Sequence, residues 1–155
     1  LLNQEKWEFI KDKYKTIDLI ISVDAATAET YQKLCGGNFS KLMDHLKMIA
    51  DLHRQGKIRN WSLNYVVQRD NFKEMHDFVE LGHSLDVNAT SFLKMNNWGN
   101  LTHEDYLKKC LVIDEKYLDR ELWQVLKDPI FKNPIVDLHA FERYMHLLNY
   151  LYEDK

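Results

Sequence analysis

The sequence predicts an α/β fold with a parallel sheet, on three observations. Short, apolar, β-branched runs occur at 17–23, 61–67 and 89–95. Helical patterns of about 10 to 15 residues lie between them, the spacing of right-handed crossovers joining parallel strands. The five glycines and two prolines are scattered and form no linker, so they separate elements and not domains.

Each element follows from its own pattern. Trp7, Ile10 and Tyr14 recur at helical spacing and predict a helix over 4–14. The nearly continuous apolar run 17–23 predicts a strand buried on both faces. Thr27 caps a short helix presenting Tyr31 and Leu34, which Gly36-Gly37 ends. Asn38 or Ser40 opens the next, with Leu42, Leu46, Ile49 and Leu52 or His53 inward, closing near Gly56. After the strand 61–67, Asn71 followed by Glu74 has the form of a capping box. It precedes a helix with Phe72, Met75, Phe78, Val79 and Leu85 inward. The third strand is 89–95. Beyond 96–100 the pattern predicts only helices: one begun by Thr102 and Asp105 and running through Leu111, one from Asp119 to Leu126, and one over 137–152. Pro129 and Pro134 lie between the last two. The expected organisation is therefore a sheet-forming part, 1–100, with a helical C-terminal segment, 101–155, packed on it as one globular unit. Three parallel strands are few for this length, and the first is as apolar as a central strand. The sheet reads as cut from a larger one.

Composition narrows the functional classes. The chain has 155 residues, 45% apolar, 12% aromatic and 29% charged, as in a soluble globular domain of ordinary size. Twenty-one Lys and Arg against 24 Asp and Glu give a net charge of −3, which supplies no basic field for nucleic acid. No apolar run approaches the ~20 residues of a membrane span, and the N-terminus has no secretory pattern. It also lacks an initiator Met, which points to residues upstream. Cys35 and Cys110 form neither a CxxC pair nor a disulfide framework. Both are read as buried thiols of a protein in the reducing cytoplasm.

In parallel α/β sheets, reactive side chains gather where strands end and loops begin. The first strand delivers Ser22 and Asp24 there, the second Asn64, Gln68, Arg69 and Asp70, and the third Lys94, Asn96, Asn97 and Trp98. Such a rim can hold a ribose, an amide or a carboxylate. Asp24, Asp70 and Asn71 also read as turn formers and helix caps. A hydroxyl and a carboxylate at an apolar strand end, however, need partners. Gly36-Gly37-Asn38 before a helix reads better as a helix–helix turn than as an anion cradle. The seven histidines form no HExxH and no metal-ligand spacing with the cysteines.

The stretch 18–39, DLIISVDAATAETYQKLCGGNF, resembles the middle of the radical S-adenosylmethionine barrel, in the branch that often carries a SPASM-type extension. Further similarities are NYVVQRDNFKEM at 64–75, FVELG at 78–82, NWGN at 97–100 and LKDPIFKNPIV at 126–136. The resemblance implies the second half of a partial, TIM-like (β/α) barrel, with strands corresponding to the fourth, fifth and sixth. In the full-length protein it implies S-adenosylmethionine and a [4Fe-4S] cluster, and hydrogen abstraction from an unknown substrate. The Cys-x3-Cys-x2-Cys cluster loop is absent from this chain, so neither cofactor is expected on it alone and no metal ligands are assigned. By the same resemblance Ser22 and Asp24 match the cofactor-holding end of the fourth strand, and Gln68 and Asn97 sit at strand ends facing cofactor or substrate. Cys35 stands where related sequences commonly have Arg.

The expected partners are the missing N-terminal half of the barrel and a small-molecule or peptide substrate. The isolated chain is expected to self-associate through its open edge or to fold a terminal helix over the gap. Two other readings stay open: a non-catalytic small-molecule or protein binding module, and a cluster-independent α/β enzyme using Asp24 as its carboxylate.

Overall fold

The computed structural model describes residues 2–114, 117–139 and 141–145. In chain order it comprises α1 (Gln4–Ile10), β1 (Asp18–Ser22), α2 (Ala28–Cys35), α3 (Phe39–Arg54), β2 (Asn60–Val67), α4 (Met75–Ser84), β3 (Ala89–Lys94), α5 (His103–Lys109), β4 (Val112–Asp114), β5 (Tyr117–Leu118), α6 (Arg120–Leu126) and β6 (Val136–Asp137). The main sheet has the order β1-β2-β3-β6 and is parallel throughout. The fold is thus α/β with a four-stranded parallel sheet.

Sequential order has a geometric consequence. Each crossover moves one strand further in the same direction, and right-handed connections then place the helices on one face of the sheet. Burial alternates accordingly. On β2, Trp61, Leu63, Tyr65 and Val67 are buried while Ser62, Asn64 and Val66 are half-buried. The buried face packs on helices: Phe78 of α4 stacks on Tyr65 and Phe92 at 4.6 and 5.8 Å between ring centroids, and Phe131 joins Phe92 at 5.7 Å. Leu42, Leu46 and Ile49 of α3 are buried, as their spacing predicts. Gly82 is what lets α4 lie close to β3. A Cβ there would stand 2.3 Å from the Thr90 Cγ2 methyl, inside any tolerable contact.

Caps account for several element ends. The side chains of Asn3, Thr27, Asn38, Thr102 and Asp119 accept hydrogen bonds from the first turns of α1, α2, α3, α5 and α6. Gly36 closes α2 with φ +64°, a left-handed conformation that glycine adopts without strain.

The structure corrects the sequence expectations in five places. β1 is not buried on both faces: Ile20 is 72% exposed, and no described strand pairs with its outer edge. An apolar run reports neither which strand is at the edge nor which face lacks a cover. The segment after residue 101 is not purely helical, since β4 and β5 form an antiparallel hairpin and β6 returns as a fourth strand of the main sheet. The helix expected over 137–152 does not begin at Asp137, which lies in β6. Helical residues occur at 141–145, and the remainder of the expected span, with residue 140, falls outside the described residues. α1 ends at Ile10, leaving Tyr14 off its apolar stripe and 61% exposed. Trp7 shares a groove with Met48 and Leu52 of α3, so α1 leaves the exposed Ile20 side chain uncovered. Finally, Cys35 is exposed, whereas Cys110 is buried. Among the described residues no helix is long and apolar enough to cross a membrane.

Candidate functional site

The face of the sheet opposite the helices is polar near its C-terminal end. The register aligns Ser22 with Asn64, Asn64 with Ser91, and Ser91 with Asp137, so one row of polar side chains crosses all four strands. Two residues further along each chain, the same face carries Asp24, Val66, Leu93 and His139. These four line an open cleft of about 650 Å³, together with Gln68, Lys94, Met95, Asn96 and Trp98. The cleft lies where the strands end, as expected for a parallel sheet.

Asp24 is the best-positioned residue of the site. Its backbone is left-handed, φ +61°, a conformation in which Asp is several-fold enriched over most residues. Its Oδ1 accepts from the Val66 N–H at 2.7 Å, and the Ser22 hydroxyl donates to the carboxylate at 3.1 Å. The turn is pinned from below by Asn71, which is 1% exposed. The Asn71 amide donates to the carbonyls of Asp24 and Val66, both at 3.0 Å, and its oxygen accepts from the Gln68 N–H at 2.8 Å. The Tyr65 hydroxyl then donates to the Asn71 carbonyl at 2.6 Å. Burial pushes the Asp24 carboxyl above its ordinary pKa, against the opposing effect of the Val66 and Ser22 hydrogen bonds. Burial thus disfavours the ionised carboxylate, which a cationic or hydrogen-bond-donating ligand would stabilise.

Glu74 secures the next stretch. Its carboxylate accepts from the N–H groups of Ala26 and Thr27 at 2.8 and 3.1 Å, from the Thr27 hydroxyl at 2.7 Å, and from the Thr30 hydroxyl. Burial raises its pKa, but these donors outweigh burial and hold the carboxyl below its usual range. The capping box expected of Asn71 and Glu74 is therefore not formed. Neither side chain caps its own helix, and both reach instead to the loop after β1.

Of the residues singled out from sequence, Ser22 and Asp24 are joined by a hydrogen bond, and Gln68 lines the same cleft as Asp24. Asn97 is placed differently. Its oxygen accepts from the Gly99 and Leu101 N–H groups at 3.0 and 3.4 Å, and its amide donates to the Leu101 carbonyl at 2.9 Å, so it shapes its own loop. Arg69 pairs with Asp119 at 3.0 Å and Asp70 with Lys33 at 2.8 Å, both within the scaffold. The Cys35 thiol lies 3.8 Å from the Val23 carbonyl, and burial, then the Asp24 charge, push its pKa up.

Ser91, Asp137 and His139 belong to the site and were missed. Ser91 alternates with Phe92, a signal that could have flagged it. The other two required knowing that 136–137 returns to the sheet. Asp137 and His139 form an ion-pair contact at 3.1 Å. Among the described residues no three His, Cys, Asp or Glu side chains come together as metal ligands. The chain matches no protein-family model, no curated protein and no solved structure.

Proposed function

We propose that this chain forms the second half of a partial (β/α) barrel of the radical S-adenosylmethionine type, and that Ser22 and Asp24 hold the amino-acid or ribose part of that cofactor. The observation that carries this reading is the polar row Ser22-Asn64-Ser91-Asp137 across four sequential parallel strands. In a closed or partial barrel this face is the interior, where small and polar side chains leave room for a ligand at the strand ends. The exposed Ile20, and the outer edge of β1 with which no described strand pairs, support this reading by leaving room for an upstream strand.

The donor set fits the organic cofactor. An ammonium or a ribose hydroxyl donating to Asp24 would stabilise the carboxylate that burial disfavours, and the Gln68 amide faces the same opening. The donor set does not fit the iron–sulfur cluster, since the described residues bring no ligands together; the cluster belongs to the proposed N-terminal half. When bound there, cluster and cofactor supply a 5′-deoxyadenosyl radical for hydrogen abstraction. This chain's residues position the cofactor and wall the substrate.

Titration of the full-length protein with S-adenosylmethionine tests the reading. Saturable binding that falls at least tenfold in Asp24→Ala supports it, and undiminished binding in that variant removes the assigned residues. Anaerobic reconstitution with iron and sulfide gives a second check: a stoichiometric cluster on this chain contradicts the division of roles. The alternative, a non-catalytic small-molecule binding module, is favoured by the side chains of Gln68, Lys94 and Asn96, which have no partner among the described residues. Saturable ligand binding at those residues without any response to S-adenosylmethionine would select it.

A further inference from the structure

The wall of the cleft formed by the ends of β2 and β3 differs from the Asp24 side in one respect. Gln68, Lys94 and Asn96 line the opening, yet none of their side chains makes a hydrogen bond or ion pair among the described residues. Trp98 stands beside them 87% exposed, although a large aromatic surface gains from being covered. The tryptophan is not on a slack loop. Asn97 ties the chain on both sides of it through three hydrogen bonds, and Gly99 makes the turn at φ +89°. Val66 and Leu93, neighbours in register, form a half-buried apolar floor.

From this arrangement we infer that the β3 side of the cleft is a subsite for a small ligand with a planar ring and a single carboxylate. The ring stacks on Trp98 over the Val66–Leu93 floor, the carboxylate pairs with Lys94, and Asn96 reads the polar edge, with Gln68 on the side toward Asp24. Three features select this class. Trp98 offers the face of a ring on a backbone segment already held by Asn97, so little backbone ordering is needed on binding. Lys94 is a cation with no partner among the described residues, whereas the His139 imidazole already contacts Asp137. The Asp24 carboxylate on the same cleft opposes a second negative charge, which favours a carboxylate over a phosphate dianion. Free amides on Gln68 and Asn96 donate and accept alike, and so suit a phenol or amide substituent on the ring.

Assigning this ligand as the substrate rests on the radical S-adenosylmethionine reading; its binding does not. The probe is 4-hydroxybenzoate, with 4-hydroxybenzamide as its uncharged counterpart. The readout is the indole N–H resonances of the four tryptophans, with Trp98 assigned by its disappearance in W98F. We expect 4-hydroxybenzoate to shift the Trp98 resonance saturably while the other three indole resonances stay in place. The benzamide and the Lys94→Gln variant should each bind at least tenfold more weakly, and Lys94→Arg should restore binding. Absence of a saturable shift overturns the inference. So does equal binding of the benzamide, or full binding in Lys94→Gln with its other indole resonances unchanged. Displacement of the benzoate by S-adenosylmethionine also overturns it, because the two halves of the cleft would then be one site. A benzoate response in a full-length protein that ignores S-adenosylmethionine removes the barrel reading alone. The converse removes this inference alone.

Discussion

Around the loop after β1, polar side chains are engaged inside the protein, whereas those that reach the cleft from the ends of β2 and β3 have no internal partner among the described residues. Asn71 makes three side-chain hydrogen bonds and Glu74 four. Gln68, Lys94 and Asn96 make none among the described residues. The two ends carry similar residue types on similar strand ends, so composition does not distinguish them. The difference lies in what the fold brings opposite each. The loop after β1 presents N–H and hydroxyl donors to Glu74 and the Asp24 carbonyl to the Asn71 amide, while the loop after β3 satisfies itself through Asn97. One end is a frame and the other is receptive.

Substitutions should expose this contrast in stability. Glu74→Ala leaves two N–H groups and two hydroxyls without their acceptor, and we expect a loss of about 3 kcal/mol in denaturant unfolding. Asn71→Ala should lose about 2 kcal/mol, because hydrogen bonds to charged or buried groups are the costly ones to break. Losses below 0.5 kcal/mol in both would break the comparison.

The pH dependence should sharpen it, since the two carboxylates at the framed end are shifted in opposite directions. Glu74 is held below its ordinary pKa, so its stabilisation is present above the unfolded value and is lost as pH falls through the folded one. Asp24 is raised, so its contribution is present at low pH and is lost as pH rises through its folded value. Unfolding of Glu74→Gln and Asp24→Asn measured from about pH 7 to pH 3 should therefore diverge. Relative to each variant, the parent protein weakens on acidification against Glu74→Gln and strengthens against Asp24→Asn. Parallel curves would contradict the burial assigned to Asp24.

Away from the cleft, His76 of α4 contacts Asp128 at 2.8 Å, and that hydrogen bond holds the imidazole pKa above its usual value. Its contribution is full below the unfolded histidine pKa and is lost as pH rises through the folded one. His76→Gln should flatten a shallow decline in stability across neutral pH. The pair is largely exposed and screened, so the effect is small. Smallest of all, Lys94→Gln, Gln68→Ala and Trp98→Ala should each stay within about 0.5 kcal/mol of the parent in unfolding. A larger loss would mean that the receptive end is also part of the frame.

Much of the scaffold was legible in the sequence because its signals are local. The inward residues of α3 and α4 follow helical spacing, β2 and β3 start and stop within a residue or so of the apolar runs, and Thr27, Asn38, Thr102 and Asp119 cap as their types suggest. What could not be read is what depends on distant neighbours. The Asn71–Glu74 spacing is that of a capping box, yet the hydrogen-bond partners of those two side chains lie mostly in another loop. The alternation of Ser91 with Phe92 was present, but its alignment with Ser22, Asn64 and Asp137 required the register. β6 has two residues, too few for any periodicity, so its place in the sheet and the membership of His139 in the cleft were invisible.

The shortness of β6 also bears on the order in which the molecule opens. The chain leaves the sheet at Lys94 and returns only at Val136, pairing there through Thr90 with Val136 and Ser91 with Asp137. A long excursion closed by so brief a pairing gains little to offset its closure entropy. In hydrogen exchange the amides of this return strand should lose protection well before those of β2, which is paired on both sides. Since His139 follows directly, one wall of the cleft can detach while the central sheet stays folded, and a ligand larger than the static opening has a route in through sub-global unfolding.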